Sequence, residues 1–343
     1  MTYSDTVGQR LLLELRSREA WNQRDYLNAQ RLAEELAAAA LQEQDELGWW
    51  NATFIVSECL RKRGLVRESR EVAEDLADHP LTAQSNALSA RVSTLVSLAL
   101  QGSGDLAQAV EAGKRAVRAA CGHPDDLNVE VDARHALIAA LADSDQLEFA
   151  WHECLVLVDL LKSQPDLKYA GQSYWAIGNV AFLMQHVDQG VAYHQLAAQS
   201  LSPSNDLDLW ARFNRASASL RLTAGVVEPE TLECIERAEL ASSIVGGTER
   251  DRLELRLTRG QWLVLTGQFD AAIAPLTEII GKKDLLATHM AAQAHFLLGQ
   301  ALSERAGATG AVSNFEASED LFLQSGAEDR ASTARALIEA IKG

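Results

Sequence analysis

Between Leu257 and Ile280 the chain reads LTRGQWLVLTGQFDAAIAPLTEII, with apolar residues recurring every three or four positions on either side of Gly267. Gly267 ends the first apolar stripe and Phe269 opens the second, which continues through Ala272, Leu276 and Ile279. The pattern predicts two amphipathic helices folded back on each other, with Gly260 placed where the first must approach its neighbour closely. The same order of small and bulky positions recurs at Gly299, Gly307, Ala311, Phe315 and Ser318, and again at Gly178, Gly190 and Ala197.

The turns inside such hairpins fall near Asp25, Gly64, Gly104, Asp145, Val187, Gly225, Gly267 and Gly307, at intervals of 39, 40, 41, 42, 38, 42 and 40 residues. This period divides the chain into eight hairpins: 7–44, 46–78, 81–121, 126–163, 167–201, 205–244, 248–281 and 285–324. A last amphipathic helix, 328–341, carries Ala331, Ala334, Leu337, Ile338 and Ile341 on one side and is expected to cap the eighth. Asp25 and Asp105 stand where helix N-caps are needed, and Gly104 where the backbone must turn left-handed. His79-Pro80, Gly122-His123-Pro124, Pro165 and Pro203 are expected to separate hairpins, and Pro229 to open a helix. Only Pro275 falls inside a helix, where it removes the hydrogen bond to the Ala271 carbonyl.

Small residue, turn, small residue, bulky residue and small residue at these offsets resemble the tetratricopeptide repeat. The family's standard unit has about 34 residues, so this array looks like the longer-helix version found in bacterial regulatory proteins. HEAT repeats share the longer period but not the order of small residues. The resemblance implies an all-α, right-handed solenoid of about eight hairpins plus a C-terminal capping helix, forming a single repeat domain over 1–343.

Composition agrees with helix throughout: 47% of residues are hydrophobic and only 6% aromatic. With 31 Lys and Arg against 48 Asp and Glu, the formal charge of −17 opposes the counterion release that drives duplex binding, so no nucleic-acid partner is expected. No apolar run approaches the roughly 18 residues of a membrane span. The first ten residues lack the basic and apolar regions of a secretory signal. A cytoplasmic protein is therefore expected, with Cys59, Cys121, Cys154 and Cys234 as reduced, buried thiols. Repeat-like sequence begins within about ten residues of Met1, so the DNA- or enzyme-binding module that precedes the repeats in the look-alike regulators is not expected here. The chain then reads as a stand-alone adaptor or as part of a longer protein.

Chemistry-bearing patterns are few. There is no HExxH, CxxC, GxxxxGK[ST] or GxSxG, and the acidic pairs read as solvated helix faces. Neither an enzyme, a metal site nor a cofactor is expected. In the solenoid that the resemblance implies, the first helix of each hairpin lines a concave groove, and positions one after, three before and six before the small residue share that side. These positions are Asn51, Phe54 and Glu58; Arg91 and Thr94; Asp132 and His135; Gln172, Trp175 and Asn179; Arg212, Arg215 and Ser219; Glu254, Leu257 and Gln261; Gln293, Phe296 and Gln300. From them Asn51, Arg91, His135, Gln172, Trp175, Asn179, Arg212, Arg215, Gln261 and Gln300 are the candidate ligand contacts. Amides both donate to and accept from an extended backbone, and arginine grips carboxylates. The bland alternative is an ordinary polar helix surface, with the aromatics, Trp175 above all, packed between helices.

The expected function is binding of a peptide or protein segment in the groove, resembling the peptide-pheromone receptors of Gram-positive bacteria, in which concave asparagines and arginines hold a short peptide. A structural scaffold that uses its convex face or terminal helices is the alternative, and either is compatible with a homo-oligomer.

Overall fold

The computed structural model describes residues 3–121, 127–163, 169–246, 248–304 and 308–342. Eighteen α-helices and no strand occur among them. Seventeen of the helices are α1 Tyr3–Asn22, α2 Tyr26–Gln42, α3 Glu46–Lys62, α4 Val66–Ala77, α5 Pro80–Gln84, α6 Asn86–Ser103, α7 Leu106–Ala120, α8 Leu127–Asp143, α9 Leu147–Ser163, α10 Ala170–Leu183, α11 Val187–Ser200, α12 Leu207–Thr223, α13 Pro229–Val245, α14 Glu249–Leu265, α15 Phe269–Gly281, α16 Thr288–Ser303 and α17 Ala308–Gln324. The last is α18, Glu328–Lys342. Contacts gather the helices into two compact units, Met1–Met184 and Gln185–Gly343, and within each unit, apart from α5, α10, α11 and the terminal α18, they form hairpins in chain order.

The hairpin turns repeat one backbone device. A single left-handed residue lies between paired helices at Arg24, Gly64, Gly104, Asp145, Gln185, Gly225 and Gly267, with φ between 58° and 83°. In the first and fifth hairpins it therefore falls on Arg24 and Gln185, just before the expected Asp25 and Val187. The turn expected at Gly307, the connection at Gly122-His123-Pro124 with the following Asp126, and Pro165 lie outside the described residues.

Capping follows the expectation at Asp25, whose carboxylate accepts the Asn28 amide at 3.1 Å. Asp105 differs. It holds the cap position of α7, but its carboxylate accepts from Arg70 at 3.2 Å and from Ser103 at 3.1 Å instead of capping. His79-Pro80 does not simply break the chain: His79 Nδ1 accepts the Leu81 amide and Pro80 starts α5, so the third hairpin begins at Asn86. The short helix positions Thr82, which accepts from the fully buried Trp50 indole at 2.8 Å and donates to the Leu76 carbonyl at 2.6 Å. Pro229 opens α13, and Pro275 lies within α15, as the pattern predicts.

Packing inside each hairpin trades volume across one shared position. A Cβ on Gly260 would lie 2.8 Å from Leu276 Cδ2, and one on Gly299 would lie 2.8 Å from the Phe315 ring, so glycine makes room for the bulky residue of the second helix. Earlier hairpins use serine there. Ser17, Ser57 and Ser97, spaced forty residues apart, donate to the carbonyls of Ala29, Ser69 and Ala109, each twelve residues on. Between hairpins, Gly113 of α7 opens space for Leu137 of α8, whose Cα would be 3.0 Å from an added Cβ.

The eighth hairpin is covered by α18, with Ala331 packed beside Phe322 and Ile338 beside Phe315. Cys59, Cys154 and Cys234 are buried free thiols, but Cys121 is exposed because it ends α7. No helix among the described residues is long and apolar enough to cross a membrane.

Candidate functional site: a polar cleft between the first helices of the hairpins

In the first unit, α3, α6 and α8 are the leading helices of successive hairpins, so residues about forty apart in sequence come side by side. Together with residues at the start of α10 they wall a cleft of about 640 Å³. Phe54, Glu58, Arg61 and Lys62 come from α3, Arg91 and Thr94 from α6, and Asn128, Asp132 and His135 from α8. Trp21, Tyr169 and Gln172 join the wall, and Leu95, Leu98, Val129 and Ala136 make up its apolar part. This volume lies within the range of roughly 300 to 1,000 Å³ in which proteins hold small ligands.

Arg91 is held as a fixed wall group. Its guanidinium carbon lies 4.4 Å from the Phe54 ring centre and 5.0 Å from that of Trp50, while Nη1 donates to Asn51 Oδ1 at 3.0 Å. Three restraints on one side chain reduce the entropy lost when a ligand meets it. His135 Nε2 hydrogen-bonds Ser173 Oγ at 2.9 Å, and burial pushes its pKa down to about 4, so the ring is neutral near pH 7. Burial raises the Glu58 pKa against the opposing pull of Arg61, Lys62 and Arg91. The same cause lowers that of Arg61, whose Nε is sealed from water without a hydrogen-bond partner. Three cations thus face two acids in a chain that is strongly negative.

Seven positions of the helical-face rule meet at this cleft: Phe54, Glu58, Arg91, Thr94, Asp132, His135 and Gln172. Asn51 sits one turn back, supporting Arg91 and lining a neighbouring recess with Arg10 and Glu14. Trp175 and Asn179 are half-buried on α10 and lie outside the cleft wall. The wall also includes Arg61 and Lys62, which the rule passed over. Arg61 is one turn beyond Glu58, so extending the stripe to the end of α3 would have found it.

The second unit carries a different cleft, of about 480 Å³, on which Ser219, Glu254, Leu257, Gln261 and Gln293 converge with Met290 and Arg330. Leu257 is mostly core, at 5% exposure, and Arg250 binds the Glu254 carboxylate at 2.8 Å. Gln300 is half-buried outside it, and Phe296 packs edge-on against Phe315 and Phe322. Arg212 and Arg215 line a separate recess of about 270 Å³ beside the end of α13. Both are ion-paired there, with Asp208 at 3.0 Å and Asp251 at 3.3 Å. No group of three or more metal-ligating side chains occurs among the described residues.

No family model matches the chain, and no curated relative matches it. Solved structures do. The chain is similar to one in the crystal structure of the APC/C hetero-tetramer Cut9-Hcn1, with a TM-score of 0.64 and 12% identity over 93% of its length. It spans 55% of that chain. It is also similar to a Rap protein complexed with Competence and Sporulation Factor, with a TM-score of 0.59, 9% identity and 98% of both chains covered. The fold is a tetratricopeptide-type helical repeat. Its repeats are the long form, with successive left-handed turn residues 40 to 42 positions apart.

Proposed function

We propose that this chain is a non-catalytic binding module whose first-unit cleft holds a peptide or an extended protein segment. The observation that carries the reading is the meeting of seven positions, chosen only by their phase on the leading helices, around one cleft of about 640 Å³. Gln172 and Asn128 offer both donors and acceptors to a main chain, Thr94 a short hydroxyl, and Phe54, Trp21 and Tyr169 apolar contact. The Rap protein's similarity over the full length of both chains supports a peptide as the ligand class, and a regulatory adaptor or sensor as the setting. A display library of hexapeptides panned on the purified chain tests this. Enriched sequences whose binding is lost on replacing cleft residues are expected, and no enrichment would reject the reading.

A scaffold reading draws on a separate feature. Leu11, Leu12 and Leu15 stand 46% to 56% exposed on α1, whereas the outward side of α18 carries no exposed large hydrophobic residue. Sedimentation of wild type against Leu11→Glu/Leu15→Glu separates it, because concentration-dependent association should then disappear while peptide binding stays.

A further inference from the structure

Arg61 stands apart from most arginines of the described chain, which are ion-paired to neighbouring carboxylates. It has no ion-pair partner among the described residues, its Nε is buried without a hydrogen-bond partner, and it opens onto the first-unit cleft. A half-buried guanidinium with an unmet Nε and no ion-paired carboxylate beside it is costly to keep, and its outer nitrogens are the ones that can meet an acceptor in the cleft. Arg91 is committed to Phe54 and Asn51, so among the arginines of the cleft the unpaired one is Arg61. One turn earlier on the same helix stands Glu58, also without an ion pair among the described residues.

We infer that the cleft takes a carboxylate of its ligand at Arg61 and that Glu58 takes up a proton as it does so. The inference rests on the peptide reading above and names the group that the cleft reads: an Asp or Glu side chain, or a free C-terminus. The charged groups around Glu58 are Arg61 and Lys62 on its own helix, Arg91 on α6 and Asp132 on α8. His135 on α8, Tyr169 ahead of α10, Cys59 next to Glu58 on α3 and Tyr26 on α2, beside Arg61, are the further titratable groups. A carboxylate arriving at Arg61 places a second negative charge within about one helical turn of Glu58, in a site already drier than water, where the two cannot both stay ionised cheaply. Burial already favours the protonated form of Glu58. His135 is neutral above its value of about 4 and does not share in the uptake.

The test uses the full chain and hexapeptide libraries in two forms, one with free and one with amidated C-termini. The best peptide from each is titrated calorimetrically against wild type, Arg61→Gln, Arg61→Lys and Glu58→Gln, with helicity checked by circular dichroism. Peptides carrying Asp or Glu, or enriched only with a free C-terminus, are expected, and the two libraries distinguish these sources. Arg61→Gln should weaken binding by about thirtyfold or more, and Arg61→Lys by less, because it keeps the charge. From about pH 8 to about pH 5 wild-type affinity should rise by about tenfold, while Glu58→Gln should be flat and tighter than wild type at the upper end. Acid-free amidated peptides, unchanged affinity in Arg61→Gln, or a flat wild-type profile would overturn the inference and leave peptide binding intact. Failure of both libraries to yield any peptide would overturn both.

Discussion

The Arg91 guanidinium carbon lies 4.4 Å from the centre of the Phe54 ring, although the two residues are in different hairpins. The pair fixes how α3 and α6 sit side by side and presents a flat cationic surface to the cleft. A cation–π contact at a part-exposed site contributes about 0.5 to 1 kcal/mol to stability, so Arg91→Ala should lower the unfolding free energy modestly. Its effect on a cleft-selected peptide should be much larger, because the fixed guanidinium is lost with its orientation. Urea unfolding and calorimetric titration of the same variant compare the two. Equal losses in stability and binding would make Arg91 a packing residue only.

Gly299 tests the packing rule of the hairpins. An added Cβ would come within 2.8 Å of the Phe315 ring, and that ring is itself buried against α18 and Phe296. Gly299→Ala should destabilise the second unit by about 1 to 3 kcal/mol despite the better helix propensity of alanine. Combining it with Phe315→Leu should cost less than the sum of the two changes, since the smaller side chain vacates the space. Thermal and urea unfolding of the four proteins measure this coupling, and strict additivity would contradict the volume exchange.

The buried ion cluster of the fourth hairpin makes the opposite kind of prediction. Arg134 donates to Glu130 Oε1 from Nε at 2.9 Å and from Nη2 at 2.7 Å, and it also bonds Glu153. With the Arg134 side chain 8% exposed and that of Glu130 12%, removal of the cation strands two carboxylates away from water. Arg134→Met should cost about 3 to 5 kcal/mol. The triple variant with Glu130→Gln and Glu153→Gln should recover much of that loss in the same urea experiment, and no recovery would mean that shape rather than charge holds the cluster.

His135 sets an expectation for acid. Its pKa is pushed down by burial, from an ordinary 6.5 to about 4, so the unfolded chain binds this proton more readily than the folded one. The associated stability is fully present above pH 6.5 and is lost as pH falls from 6.5 towards 4. Proton NMR should place the His135 midpoint near 4, and His135→Gln should flatten the pH dependence of unfolding in that interval. A midpoint at the ordinary histidine value would show the ring to be solvated.

Much of this architecture is written locally in the chain. Gly64, Gly104, Gly225 and Gly267 announce left-handed turns because glycine alone adopts them without strain, and their spacing reveals the repeat. Arg24 and Gln185 do the same work without a residue-type signal, so their turns are placed by the period rather than by composition. The helix α5 was hidden because proline marks both a break and a first turn, and only the Trp50 indole, thirty-two residues away, shows which. At the cleft, helical phase found the wall but not its limits. Arg61 lies one turn past Glu58, the last α3 position of the stripe, and Tyr169 precedes its helix, where phase says nothing. Arg212 and Arg215 have the right phase, yet Asp208, one turn back on the same helix, and Asp251, in the next hairpin, engage them, and a face count that ignores nearby carboxylates sees neither pair.

The proposed ligand site is the first-unit cleft. Thr94 faces it from the middle of α6 with a small, half-buried side chain, so Thr94→Trp would fill the space without removing a charge or a cap. Calorimetric titration of a library-selected peptide into this variant, with helicity and melting temperature matched to wild type, is the most direct measurement. Loss of affinity by about a hundredfold or more is predicted, because a filled cleft excludes the peptide chain from every wall group at once. Unchanged affinity in a folded Thr94→Trp protein would place the ligand outside this cleft.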